Sequence, residues 1–286
     1  MIIRQILDWF CRIIGLHRRP EYTDVKQPNN WNGVAETVAG TKHIRAQPPI
    51  PCQDAALVKT EERPIAFVAD GAGSASMSHF GAQETVLRLS HIVAALEDIN
   101  VCMLDVADSP TETECHTYAR RLIIHTSETL KALADEKSMP FKEFRCTLLG
   151  IIVGAERIFW IKIGDGHIVK EQDGNLQTVG PSGKGQYANV TSFVAEKVDA
   201  TQFACGVFPA AAISGIALMT DGAAEKLVSN DGKKVAGRIG KFFAGIRTKS
   251  IAQKDVHDFL SDENIWKPPG YTGDDKGLAL LARIND

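Results

Sequence analysis

The stretch VADGAGSASMSH, residues 68–79, poses the choice on which the fold turns. An apolar run from residue 65 to 69 ends on the carboxylate of Asp70, and Gly71, Ala72, Gly73 and small hydroxylated residues follow. Asp-Gly alone is turn chemistry, because glycine tolerates positive φ and aspartate hydrogen-bonds its own backbone. The other reading is a buried strand that delivers an acid to a site, with glycines that let a ligand approach the backbone. The rest of the chain must decide.

Working outward, strand blocks and helical blocks alternate. DAALVKT (54–60) and PIAFVAD (64–70) read as neighbouring strands around a charged turn. Residues 79–97 and roughly 112–135 place apolar side chains at helical spacing. CTLLGIIVG (146–154), RIFWIKIG (157–164) and HIVKEQ (167–172) read as three strands, with NLQTV (175–179) after the turn Asp173-Gly174. A polar, glycine-rich stretch covers about 180–190. GIALMTDG (215–222) is a further strand ending in Asp-Gly, helical segments run to about 260, and GLALLARI (277–284) closes the chain as a strand. Strands grouped apart from paired helices predict an α+β fold of layers rather than a βαβ parallel sheet.

The 286 residues, 44% hydrophobic, are enough for a sizeable core. With 23% charged residues and a net charge of −3, composition offers nothing to a nucleic acid. Six cysteines (Cys11, Cys52, Cys102, Cys115, Cys146, Cys205) form no C-x-x-C pair and follow no cleavable signal, which points to reduced thiols and a cytoplasmic protein. No apolar run after residue 20 is long enough to span a bilayer.

The first 16 residues read as an amphipathic helix: Ile2, Ile3, Ile6, Leu7, Trp9, Phe10, Ile13, Ile14 and Leu16 share one half of a helical wheel. Arg4, Gln5, Asp8 and Arg12 take the other half. Such a helix packs on its own domain or on a partner protein. With Arg4, Arg12, Arg18 and Arg19 it also suits a membrane surface. Residues 17–32 read as a polar linker, so the expected division is 1–30 for helix and linker and 31–286 for the main domain.

The opening motif has companions. Asp70-Gly71, Asp221-Gly222 and Asp165-Gly166 each follow an apolar strand, Asp54 opens one, and Asp274-Asp275 precede the last. Carboxylates gathered at the ends of buried strands repel one another unless something positive sits among them. An oxygen-only donor set without His or Cys favours a hard divalent cation, Mg²⁺ or Mn²⁺, and two such ions bind phosphate and activate water for in-line attack. Each Asp-Gly taken singly reads as structural; the ordered set points to a site.

That set resembles the metal-dependent serine/threonine protein phosphatases of type 2C over about residues 33–286. The resemblance rests on five motifs in the family's order: Cys52-Gln53-Asp54-Ala55, Ala69-Asp70-Gly71-Ala72-Gly73, Ile163-Gly164-Asp165-Gly166, Met219-Thr220-Asp221-Gly222 and Gly273-Asp274-Asp275. GTKH (40–43), PCQDA (51–55) and GQYANVTSFV (185–194) look most like a bacterial branch.

The resemblance implies a four-layer αββα sandwich of two antiparallel sheets with a binuclear Mn²⁺ or Mg²⁺ centre at one end. Asp54, Asp70, Asp221 and Asp274 would be its ligands and catalytic acids, with the Gly71 carbonyl beside Asp70. Asp165 matches an acid associated with a third, weaker ion; a tight hairpin is its competing reading. His43 falls near the family's phosphate-binding arginine and is the candidate phosphate contact, with Arg45 as the neighbouring choice and solvent exposure of both as the bland alternative. Asp275 is a candidate support for the ligands.

Two departures stand out: Gln53 where many members have Glu, and Ala72 in place of a histidine proposed as general acid. GPSGKGQ (180–186) fails the spacing of a phosphate-binding P-loop and matches a segment bordering the family's active site. The implied activity is hydrolysis of phosphoserine or phosphothreonine on proteins, the substrate being the target of a cognate Ser/Thr kinase. The alternative is a catalytically weak pseudophosphatase that binds phosphoproteins.

Overall fold

The structure, a computed structural model, describes residues 30–181, 192–197 and 199–284. The amphipathic segment 1–16 and most of the 185–194 motif lie outside the described residues.

Strand β3 (Ile65–Asp70) shows why the opening run is apolar without alternation. Successive side chains of a strand point to opposite faces. Ala66 and Val68 enter one apolar cluster with Leu149, Ile151, Ile168, Ile216, Leu218 and Leu281, between two sheets. Ile65, Phe67 and Ala69 enter another with Leu89, Val93, Leu122 and Leu130, beneath helices. Both faces are covered, so both carry apolar residues. Such runs are usual in parallel sheets; here every pairing among the described residues is antiparallel.

The remaining strands are β1 (Trp31–Val38), β2 (Asp54–Lys59), β4 (Leu148–Val153), β5 (Arg157–Ile163), β6 (His167–Gln172), β7 (Asn175–Val179), β8 (Ala204–Pro209), β9 (Ile213–Met219) and β10 (Lys276–Arg283). One sheet runs β1-β10-β9-β6-β7 and the other β2-β3-β4-β5-β8. Helices α1 (Ser78–Ala95) and α2 (Glu112–Glu136) cover the second sheet. Helices α3 (Gly237–Arg247) and α4 (Gln253–Ser261) cover the first through Phe242, Phe243, Ile246, Val256 and Leu260. The expected αββα sandwich is the observed architecture, with three apolar clusters between its four layers.

Strand register places the site. Asp54, the first residue of β2, pairs with Asp70, the last of β3. In the other sheet Met219, at the end of β9, pairs with His167 at the start of β6 and Leu278 near the start of β10. The acids that precede β6 (Asp165) and β10 (Asp274), and the one that follows β9 (Asp221), therefore emerge at one edge.

Three details differ from the sequence expectation. Trp31 and Asn32 belong to β1 rather than to the linker: Trp31 is buried, pairs with Arg283, and has that guanidinium 5.2 Å over its ring. Strand β8 carries no clear strand signal because it is a half-buried edge strand that includes Gly206 and ends on Pro209. The helix expected to 97 ends at Ala95, and a short helix (Glu97–Asn100) and a π-helical turn (Val101–Asp105) follow. Arg63, itself buried, holds this irregular segment, donating to Glu97 and Asp105 at 2.6 Å each and to the Val153 carbonyl at 2.9 Å. No helix among the described residues is long and apolar enough to cross a membrane.

Candidate metal centre

Asp70, Asp165 and Asp221 each bring a carboxylate oxygen within 4.8 Å of the others. They come from the end of β3, the β5–β6 turn and the start of the short helix Asp221–Ala224 that follows β9, so no local spacing in the chain could show their convergence. Asp54 adjoins this triplet, sharing a hydrogen bond with the Asp70 carboxyl. Asp274 is close enough to press electrostatically on both Asp70 and Asp221. The structure thus brings together the five acids that the resemblance implies as metal ligands.

Their protonation shows the strain of that gathering. Burial, then the neighbouring charges of Asp54, Asp221, Asp274 and Asp165, raises Asp70 well above the usual carboxylate range. Asp54 is raised as well, chiefly by burial, with Asp275 and Asp221 adding and a Thr220 hydrogen bond opposing. Burial, Asp165 and Asp274 push Asp221 up to about 6. A divalent cation among these oxygens would reverse the repulsion, and the all-oxygen set suits Mn²⁺ or Mg²⁺.

Each acid is held by its surroundings. Thr147 brackets Asp70: its amide donates to the Asp70 carbonyl at 2.7 Å and its hydroxyl accepts the Asp70 amide at 2.9 Å. The Thr220 hydroxyl donates to Asp54 Oδ2 at 2.7 Å while accepting the Gly277 amide at 2.8 Å, which joins β2, β9 and β10. Asp221 Oδ1 accepts the Gly222 amide at 2.8 Å. A Cβ on Gly71 would come within 2.8 Å of Ser78 Cβ and 2.9 Å of the Gln53 carbonyl oxygen, so only glycine keeps the backbone beside Asp70 in place.

Asp275 faces inward as a clasp. Its Oδ1 accepts the Gly40 amide at 2.6 Å, and its Oδ2 accepts the Gln53 amide at 2.6 Å and meets His43 Nδ1 at 2.8 Å. It thereby ties the residue before Asp54 to the turn at Thr41–Ile44. His43 is buried against Asp275, whereas Arg45 is exposed. Ala72 is 4% exposed, and its amide donates to the Arg145 carbonyl at 2.9 Å. His79 is the second residue of α1 and packs on the Phe80 ring, 4.2 Å between centroids.

Sequence reasoning passed over Thr147, Thr220 and Lys162. Lys162 is buried near Asp165, with Nζ donating to the Pro181 carbonyl at 3.0 Å, and burial pushes it down to about 8 despite the acid's opposing influence. Burial, followed by the charge of Lys162, pushes His167 down to about 4. The available signal for Thr220 was its place immediately before a motif acid. Lys162 gave none, since a lysine in an apolar strand reads as an edge.

A carboxylate-only cluster at one edge of an αββα sandwich is a donor set that suits hard divalent cations. A family model described as Protein phosphatase 2C matches residues 39–261, and the chain belongs to that family, the metal-dependent serine/threonine phosphatases. Serine/threonine-protein phosphatase 3 of Escherichia coli K12 is 28% identical over 262 residues, covering 88% of this chain and 98% of that protein. The fold is shared with the Mycobacterium tuberculosis phosphatase PstP/Ppp, with TM-score 0.59, 13% identity, and 89% of this chain and 99% of that one covered. A PstP catalytic domain solved with two manganese ions superposes with TM-score 0.57 at 14% identity, covering 89% and 99%. Stp1 of Staphylococcus aureus gives 0.53 at 12% identity, covering 94% and 99%.

Proposed function

We propose that this chain removes phosphate from phosphoserine and phosphothreonine of protein substrates through a binuclear Mn²⁺ or Mg²⁺ centre. The observation that carries the reading is the convergence of Asp70, Asp165 and Asp221 within 4.8 Å, at one edge of the paired sheets. Asp54, Asp70, the Gly71 carbonyl, Asp221 and Asp274 would hold two ions, and Asp165 a third. When bound, such ions neutralise phosphoryl oxygens and lower the pKa of water so that it serves as nucleophile.

The chain's own contribution is to fix the ligands and admit the phosphate. Asp70 and Asp54, side by side at a strand pair, would ionise on metal entry and lose the hydrogen bond they share. Thr147, Thr220 and Asp275 keep these carboxylates and their backbones from turning away. Arg45, exposed on the turn beside buried His43, is the better placed of the two to meet a phosphate, with His43 supporting the turn through Asp275. With Ala72 buried, the departing alkoxide would take its proton from solvent rather than from a side chain at that position.

Residues 31–286 would form the catalytic unit. The amphipathic segment 1–16 would serve as an attachment to a partner or to a membrane surface in a cytoplasmic setting. The substrate would be the target of a cognate kinase.

The test is turnover of p-nitrophenyl phosphate and of a phosphothreonine peptide with Mn²⁺, with Mg²⁺ and with chelator. The expected result is metal-dependent release of phosphate from both. Binding of the phosphopeptide without turnover at any metal concentration would favour the pseudophosphatase reading.

A further inference from the structure

Asp274 lies in a loop that its own sequence leaves loose. Gly270 and Gly273 both take positive φ, 87° and 91°, a region that glycine enters freely and other residues rarely. Yet the peptide groups around Asp274 are held. The Lys42 amide donates to the Gly273 carbonyl at 2.9 Å, and the Tyr271 hydroxyl donates to the Asp274 carbonyl at 2.7 Å.

The tyrosine is itself held. Lys276 Nζ donates to the Tyr271 hydroxyl at 2.9 Å and lies 4.8 Å from the Tyr271 ring centroid and 5.4 Å from that of Trp266. Trp266 packs edge-on to Tyr271 at 5.5 Å, and its indole N–H donates to the Phe259 carbonyl of α4 at 2.8 Å. All three side chains are buried: Lys276 at 3% exposure, Trp266 at 4% and Tyr271 at 6%. The chain of contacts runs from a packed helix, through two rings and an ammonium, to the backbone of one acid.

A buried ammonium is costly unless paired or well solvated by polar groups. A methionine at 276 would fill the same space against two aromatic rings without that cost. What the lysine adds is direction: it fixes the tyrosine oxygen, and that oxygen fixes the peptide from which the Asp274 side chain projects.

We propose that Tyr271 and Lys276 are positioning residues for Asp274, acting in series to set the aim of its carboxylate and so the metal affinity of the centre. The inference rests on the reading of Asp274 as a metal ligand given above. Neither residue is among the proposed metal ligands, so their loss is expected to weaken metal binding and to leave turnover at saturating metal intact.

The experiment titrates Mn²⁺ into the metal-free full chain by calorimetry, for the parent, Tyr271→Phe, Lys276→Met and the double variant. Melting is measured in chelator and turnover is measured against Mn²⁺ concentration. Disturbing a group that orients a metal ligand typically costs about 10–100-fold in affinity. Tyr271→Phe is therefore expected to weaken Mn²⁺ by about tenfold or more, to melt within a few degrees of the parent in chelator, and to regain its turnover at saturating Mn²⁺. Lys276→Met is expected to move affinity in the same direction but by less, because removing a positive charge near Asp275 and Asp54 opposes the loss. The double variant should bind no more weakly than Tyr271→Phe alone, because two residues acting in series are not additive.

Parental Mn²⁺ affinity in Tyr271→Phe overturns the proposal, as does lowered stability in chelator with unchanged affinity, which is the signature of packing alone. A double variant whose loss is the product of the two single losses overturns the serial arrangement. Should Tyr271→Phe fail to fold, parental affinity in Lys276→Met overturns the proposal in its place. If the parent itself takes up no Mn²⁺, the metal reading falls and this inference with it, an outcome distinct from failure of the variants alone.

Discussion

Asp221→Asn separates the repulsion among the carboxylates from the binding they serve. Asp221 is raised from 3.8 to about 6 by burial and by Asp165 and Asp274. A carboxyl raised in the folded state adds its full stability below its unfolded pKa, and that stability is lost as pH rises through the folded value. The metal-free parent should therefore lose stability between about pH 4 and 6. The difference between 3.8 and about 6, at about 1.4 kcal/mol per pH decade, sets an upper bound of about 3 kcal/mol. Asparagine keeps the oxygen that accepts the Gly222 amide and carries no charge. In metal-free buffer at pH 7.5 the variant should thus be the more stable protein, by about 1–3 kcal/mol once the coupling among neighbouring acids is allowed for. That advantage should shrink to nothing near pH 4. In a chain of this size each kcal/mol moves Tm by about 2–4 °C, so calorimetric melting resolves it. Adding Mn²⁺ should reverse the order. At about 100 times its Kd a ligand stabilises the native state by about 2.7 kcal/mol, and the variant, one ligand short, gains less. Turnover should fall at least as far as the about 10–100-fold that follows loss of a group merely supporting a ligand. A variant that melts below the parent in metal-free buffer at pH 7.5, or gains as much from Mn²⁺, would refute the assignment of Asp221 to the cluster.

Other outcomes follow from particular contacts. Arg63→Ala strands the buried Asp105 carboxylate and should cost about 3–5 kcal/mol in urea unfolding while leaving the Mn²⁺ dependence of turnover unchanged. Phe67→Ala opens a cavity beneath α1 and α2 and should cost about 3–5 kcal/mol by the same measurement. Gly40→Ala would bring a Cβ to 2.2 Å from the Gly273 oxygen and 2.3 Å from the Asp274 carbonyl carbon. It should displace that loop and weaken Mn²⁺ by about tenfold or more in a calorimetric titration. Removing residues 1–29 should leave p-nitrophenyl phosphate turnover within about twofold of the full chain, because none of the motif acids lies there. A folded but inactive truncation would place that segment in the catalytic unit.

Much of the molecule could be read along the chain. Residues 65–69, 148–153 and 277–282 are apolar at nearly every position because each strand is covered on both faces, and a single acid that closes or opens such a run still reads as turn chemistry. Five of these in order named the layers, the family and the acids. Strands at the margins escaped, since β1 and β8 are edges whose side chains meet solvent on part of their surface and carry a mixed pattern.

What the linear order could not contain is register. Asp54 faces Asp70 because β2 and β3 pair residue for residue, and Asp165 and Asp221 meet, with Asp274 near enough to press on Asp221, because Met219 aligns with both His167 and Leu278. Asp275 was legible as a support for the ligands but not by its partners, and the contacts of Thr220, Tyr271 and Lys276 were hidden, for they form only once strand ends and connecting loops have packed. Hydrophobic burial depends on composition and period and leaves its mark on every strand. The aim of a single carboxylate depends on a few hydrogen bonds between distant segments, and these exist only once the two sheets have closed on each other.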